Sequence, residues 1–256
     1  MSDLPALDVL LPIGRARLEP LPGEPELIAL FGAGPVVRAN MVSTVDGSAT
    51  GANGVSGSIN NAADFRVFRV LRALAEVVLV GAGTVRAEGY TALDVPSDLR
   101  DARSALGLPA DLELAVVSTS GDLPDALLDG ARPPLVVTVA DNPALGGLRD
   151  RIGPDRVLVT GDAHRVDPRA AVAALAERGL RRVLAEGGPS LLARLVDADV
   201  LDEVCLTWTP QLVGGPAGRI LNQASWLSPA RSVEPLHLLH ADGVLLGRWR
   251  VTRLGA

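Results

Sequence analysis

A chain of 256 residues, 48 % of them apolar, is long enough to bury a sizeable core, and its net charge of −6 argues against a nucleic-acid partner. The single cysteine, Cys205, excludes an internal disulfide and a cysteine-rich zinc site; no metal is expected, and a reducing cytoplasmic setting is. All 24 basic residues are arginine, so neither a lysine Schiff base nor a Walker-type phosphate lysine can form, and arginine must hold any anionic substrate.

Taken in chain order, residues 1–34 are rich in Pro and Gly, without a long period, and read as an irregular arm packed on the domain or on a partner subunit. The acidic start and its short apolar run do not make a signal peptide, and no apolar run is long enough to cross a membrane. Residues 36–45 predict a buried strand that ends at Asp46-Gly47, before a Gly/Ser/Asn loop reaching Asn61. Asn61 caps a predicted helix over 62–75 whose core face is Phe65, Phe68, Leu71, Leu74 and Ala75, with Arg66, Arg69 and Arg72 off that face. A short strand over 77–80 leads into the turn Gly81-Ala82-Gly83-Thr84, read as a tight turn with no clean helix after it. Residues 94–111 read as a surface loop with a short helix.

The second half alternates strands (112–119, 134–139, 156–161, 181–188, 202–212) with helices over 167–179 and 189–198. Alternation of this kind implies a mostly parallel sheet with right-handed crossovers. Asp242-Gly243 between two β-runs in 236–251 signals an antiparallel hairpin. The fold class expected is therefore α/β, a mixed sheet flanked by helices, in one domain over 35–256 after the arm.

The strongest local signal is Glu186-Gly187-Gly188-Pro189-Ser190, where a strand ends, two glycines turn and a helix opens. Free backbone N–H groups at such a helix start make an anion site, although an ordinary strand-to-helix turn reads the same way. Glu186 sits where ligands meet a parallel sheet, at the carboxyl end of its strand. Asp46 suits either ligand orientation or an Asx turn, and Arg72 either phosphate binding or a solvated helix face. His164, His237 and His240 lack metal-ligand spacing, and Cys205 reads as a core residue.

Three blocks, RANMVSTVDGSATGANGVSG, GAGTVRAEGY and RRVLAEGGPSLLARLVDADVLDEVCLTWTPQLVGG, follow one another in an order that resembles the reductase domain of bifunctional riboflavin biosynthesis proteins, and especially stand-alone actinobacterial pyrimidine reductases. The resemblance spans about residues 36–250. It implies a dihydrofolate reductase-like fold and NADPH-dependent reduction of 5-amino-6-(5-phosphoribosylamino)uracil to its ribitylamino form. The deaminase half of those proteins needs a His/Cys zinc site, which one cysteine cannot supply, so reductase activity alone is expected.

By resemblance, Val42, Ser58, Thr84, Glu88, Ser118 and the turn Gly187, Gly188, Pro189, Ser190 and Leu191 contact the cofactor. Ser56, Arg72 and Glu186 contact the substrate, and Asp46 and Glu186 are the catalytic candidates. The family also implies a homodimer formed through a sheet edge, which the C-terminal hairpin would offer. Two departures bear on the substrate. Asn40 stands where the family usually has lysine, and Glu88-Gly89-Tyr90-Thr91-Ala92-Leu93 replaces a segment carrying a phosphate-binding arginine, for which Arg86 or Arg72 could substitute. They keep open a dihydrofolate- or dihydropteridine-type reductase on the same fold, or a catalytically silent nucleotide-binding protein.

Overall fold

Short runs of Val, Leu and Ala bounded by Gly, Asp or Pro become strands because such side chains pack well on a pleated surface covered on both faces. In the computed structural model, which describes residues 4–254, ten strands join one sheet. They are β1 (Asp8–Leu11), β2 (Val36–Thr44), β3 (Val77–Gly81), β4 (Glu113–Val117), β5 (Leu135–Thr138), β6 (Val157–Val159), β7 (Arg182–Ala185), β8 (Glu203–Thr209), β9 (Val233–Ala241) and β10 (Val244–Val251). The helices are α1 (Pro25–Phe31), α2 (Ala62–Leu74), α3 (Ala82–Glu88), α4 (Arg100–Ala105), α5 (Asp125–Leu128), α6 (Leu145–Ile152), α7 (Pro168–Glu177) and α8 (Pro189–Asp197).

Across the sheet the order is β1-β9-β10-β8-β2-β7-β3-β4-β5-β6. The pairs from β8 to β6 are parallel, while β10, β9 and β1 add on antiparallel. The mixed sheet and its hairpin, turning at Asp242-Gly243, agree with the expectation from sequence. One apolar cluster packs Val67, Val70 and Leu71 of α2 against Val78 and Val80 of β3. The other packs Leu175 of α7 and Leu192 and Leu195 of α8 against Ala39, Leu79 and Val137 on the opposite face.

Three expectations are corrected. The arm is not irregular: β1 pairs with β9 (Asp8 opposite His240), and α1 packs Leu27 and Phe31 into the core. The hairpin's outer edge is therefore covered only in part, β1 pairing with Leu238, Leu239 and His240 of β9 while the start of β9 stays exposed. Finally, α2 and its C-cap bury Leu71, Leu74 and Ala75 as expected, but not Phe65. Phe65 is 46 % exposed, whereas Arg66 is 1 % exposed.

Arg66 can be buried because all five of its N–H groups find acceptors. Two go to the Glu24 carboxylate at 2.8 and 2.7 Å and three to the carbonyls of Pro5, Leu18 and Glu19 at 2.7–2.9 Å. Two further arginines close the C-terminus of α1: Arg38 donates to Phe31 O and Arg248 to Leu30 O, both at 2.9 Å, and both pair with Glu203. The planar fork of arginine suits this carbonyl-capping work, which a single ammonium could not match in geometry.

Candidate active site

Two glycine turns lie side by side because β3 and β7 are parallel neighbours, and parallel strands present their carboxyl ends on one edge. Gly81 N–H donates to Gly187 O at 2.8 Å, which ties the turns together. Contrary to the sequence reading, a helix does open at the first turn: α3 begins at Ala82 with Gly81 as its N-cap. The second turn opens α8, with Pro189 at its first position.

The second turn favours glycine at both positions, Gly187 for its backbone and Gly188 for space. Gly187 has φ +84°, and a Cβ there would lie 3.3 Å from Met41 Sδ. A Cβ on Gly188 would lie 2.6 Å from Thr84 Oγ1. The Leu191 and Leu192 amides turn back to Gly188 O at 3.0 and 3.1 Å. The amides of Gly187, Gly188 and Ser190 have no partner among the described residues. A helix start with unpaired amides and a glycine-cleared approach fits a dinucleotide's diphosphate.

Beside this turn lies a cleft of about 520 Å³. Helix α2 lines it with Asp64, Phe68 and Arg72, spaced four apart and so on one stripe of the helix. β2 contributes Asn40 and Val42, the loop after β2 Ser56, α3 Thr84 and Glu88, and the segment after α3 Tyr90. Glu186, Gly188 and Pro189 complete the wall.

Glu186 is the hub of the polar part. Arg72 donates from Nε to Oε1 and from Nη2 to Oε2, both at 2.7 Å, and the Tyr90 hydroxyl donates to Oε2 at 2.5 Å. Arg72 also stacks on Phe68, 4.2 Å from the ring centroid. Burial, with the Glu186 charge beside it, pushes the Tyr90 hydroxyl well above the ordinary phenol range, so it remains a donor. Arg72 Nη1 has no partner among the described residues, which leaves one edge of the guanidinium for a ligand.

The loop after β2 is fastened to α3 by Ser56, whose N–H and Oγ both donate to Glu88 Oε1 at 2.7 and 2.9 Å. Asp64 is almost fully buried in the cleft floor. Its Oδ1 accepts from Thr207 Oγ1 of β8 at 2.5 Å, and burial pushes its carboxyl up to about 6.

Of the residues singled out from sequence, Val42, Ser56, Arg72, Thr84, Glu88, Glu186, Gly188 and Pro189 come together on the cleft. Gly187, Ser190 and Leu191 adjoin it through the turn, Leu191 sending its side chain into the core. Ser58 instead donates within its own loop, to Asn53 Oδ1 and Val55 O. Ser118 ends β4 and accepts from Gly121 N–H at 3.0 Å, away from the cleft wall.

Asp46 needs correction as a catalytic candidate. It accepts from Thr44 Oγ1 and from the amides of Val213 and Gly214, at 3.2 and 2.7 Å for the amides. These bonds hold its carboxyl below the usual range, and they clamp the 210–218 loop to the end of β2 rather than facing the cleft. Arg86 likewise points elsewhere, donating to Asp122 O. Tyr90 and Asp64 were not singled out by sequence reasoning. Tyr90 stands in the segment that departs from the family pattern, and no sequence signal marks Asp64.

Comparison with known proteins agrees with this geometry. The family model of the RibD C-terminal domain matches residues 35–241. A 2,5-diamino-6-ribosylamino-4(3H)-pyrimidinone 5′-phosphate reductase of Archaeoglobus fulgidus is 28 % identical over 184 residues, covering 71 % of this chain and 83 % of that one. Riboflavin biosynthesis protein RibD of Bacillus amyloliquefaciens is 29 % identical over 182 residues, covering 71 % of this chain and 47 % of that longer one. Among solved structures, a pyrimidine reductase-like protein of Corynebacterium diphtheriae superposes with a TM-score of 0.75 at 25 % identity, covering 88 % of this chain and 95 % of that one. The chain therefore belongs to the RibD C-terminal domain family.

Proposed function

We propose that this protein is an NADPH-dependent reductase acting on a phosphorylated ribosylaminopyrimidine of riboflavin biosynthesis. The observation that carries the reading is the junction of a glycine cradle with unpartnered amides and the Arg72–Glu186–Tyr90 cluster in one cleft. Membership of the RibD C-terminal domain family supports the reaction class.

When bound, the nicotinamide cofactor supplies the hydride. The protein's own work is positioning. The amides of Gly187, Gly188 and Ser190, with the dipole of α8 behind them, hold the diphosphate. Val42, Thr84 and Glu88 line the cleft wall that would hold the cofactor, and Ser118, just past the carboxyl end of β4, would be a further contact. Glu186, with its two oxygens fixed by three donors, orients the substrate as a rigid acceptor. The free Nη1 of Arg72 takes the phosphate. Preorganisation of this kind lowers the entropic part of the barrier, which is where a hydride transfer between two bound molecules gains most.

The test is consumption of NADPH on adding the ribosylaminopyrimidine phosphate. Turnover with a kcat/KM that falls by about 100-fold in Glu186→Gln is expected. NADPH bound tightly but never oxidised would leave a silent binding protein instead.

We further propose that two copies associate through an apolar face. Leu192 and Val196 of α8, Trp208 of β8 and Trp249 of β10 line a groove of about 380 Å³ closed by Leu227. Trp226, next to it, is 86 % exposed. A groove and a projecting indole on one face make the self-complementary surface that a two-fold dimer requires.

A further inference from the structure

Asp64 is a buried acid with one oxygen unaccounted for. Only 4 % of the residue is exposed, Oδ1 is taken by Thr207, and Oδ2 accepts no hydrogen bond from any described residue. Asp64 nonetheless lines the cleft. Nothing but the Thr207 hydroxyl offsets its loss of water, and no cation pairs with it among the described residues. A carboxylate offers about four lone-pair positions, so most of this group's capacity is unused. With one oxygen held by a hydroxyl and the other open to the cleft, the carboxylate is set to accept from a ligand that enters there.

The strand beneath fixes where the group works. Asn40 and Val42 alternate with Met41, whose side chain lies in the cluster on the opposite face of the sheet. Val42 is in register with Thr207 across β2 and β8, so the hydroxyl that holds Asp64 stands beside the cleft residue Val42. Along α2, Asp64 is two turns from Arg72, with Phe68 between them. The cleft therefore has a cation edge at Arg72 and an acceptor edge at Asp64, with Phe68, on which the guanidinium stacks, between them along the helix.

Resting on the reductase reading above, we propose that Asp64 reads the ring edge of the substrate and selects a 2-amino-4-oxopyrimidine over a 2,4-dioxopyrimidine. A 2-amino-4-oxopyrimidine presents N3–H and the C2 amino group side by side, two donors for one carboxylate. The dioxo ring keeps N3–H but turns a carbonyl oxygen toward the carboxylate where the amino group would be, and two acceptors face each other. Because the Asp64 carboxyl titrates near 6, the acceptor form prevails at neutral pH. Glu186 is less suited to this choice, since Arg72 and Tyr90 take three of its about four lone-pair positions and leave no pair of acceptors side by side.

The experiment measures kcat/KM for 2,5-diamino-6-ribosylamino-4(3H)-pyrimidinone 5′-phosphate and for 5-amino-6-(5-phosphoribosylamino)uracil, with saturating NADPH. The unaltered protein is expected to favour the diamino compound by at least about tenfold. In Asp64→Asn the ratio collapses toward one or reverses, because an amide can donate to the C2 carbonyl. In Glu186→Gln both values fall and the ratio stays. A merely structural role for Asp64 would lower both substrates alike, and that result, or equal values in the unaltered protein, would overturn the proposal. If neither compound is turned over, the reductase reading fails. Calorimetric affinities of the same two compounds for the unaltered protein and for Asp64→Asn then decide the Asp64 inference by the same ratio.

Discussion

Gly188 illustrates how little room the nucleotide turn leaves. With Thr84 Oγ1 only 2.6 Å from where a Cβ would sit, Gly188→Ala must push Thr84 aside or tilt the turn. The affinity for NADPH should drop by about tenfold or more while the melting temperature changes little, since α8 still starts at Pro189. Fluorescence titration with NADPH measures it, and unchanged affinity would remove the turn from the cofactor site.

Asp64 makes a second residue-level prediction. Its carboxyl titrates near 6 in the folded protein against 3.8 ordinarily, so the folded state holds the extra proton between these values. Unfolding stability therefore falls as pH rises from about 4 to about 6, and the full penalty persists above that. A shift of about two units corresponds to about 3 kcal/mol. Asp64→Asn, which keeps an acceptor for Thr207, should raise stability by up to that amount at pH 8 and by almost nothing at pH 4. Urea unfolding at the two pH values tests the sign.

Glu186 was legible in the sequence because a carboxylate at a parallel strand's end, before two glycines, is a local pattern. Asp64 and Tyr90 were not. Their roles come from Thr207, 143 residues away, and Glu186, 96 residues away, and no local spacing encodes such partners.

At the scale of elements, α2 carries the site on one side and the arm on the other. Periodicity marked its length well, with Asn61 accepting from Asp64 N–H at 2.9 Å as its cap. Leu71, Leu74 and Ala75 are legible as its inward positions, whereas Phe65 and Arg66 exchange the places their side-chain types suggest. The arm's carbonyls and Glu24 allow this by offering Arg66 a full set of acceptors. Arg66→Ala should cost about 3 kcal/mol or more, since it strands a buried carboxylate and three carbonyls. Replacing Arg69, which pairs with Asp98 at the surface, should change the melting temperature little. A calorimetric scan of the two variants separates these cases.

For the molecule as a whole, the alternation of strands and helices was enough to give the parallel centre and the antiparallel hairpin. The positions of β1 and α1 were hidden because a four-residue strand and a seven-residue helix, broken up by Pro and Gly, fall below the length at which a period can be seen. The proposed self-association runs through the apolar face of Trp208 and Trp249. Trp226→Glu together with Leu227→Glu should convert a dimer to a monomer by light scattering without loss of secondary structure. A monomer in the unaltered protein at micromolar concentration would dispose of the association outright.

The Arg66 hub also bears on how this protein can be dissected. The family match begins at residue 35, which invites excision there. A chain cut at that point would abandon every acceptor of a guanidinium sealed in the interior and strip a helix from beneath Arg38 and Arg248. Such a fragment should be insoluble or molten, and the unit that folds begins some thirty residues before the unit that sequence comparison recognises.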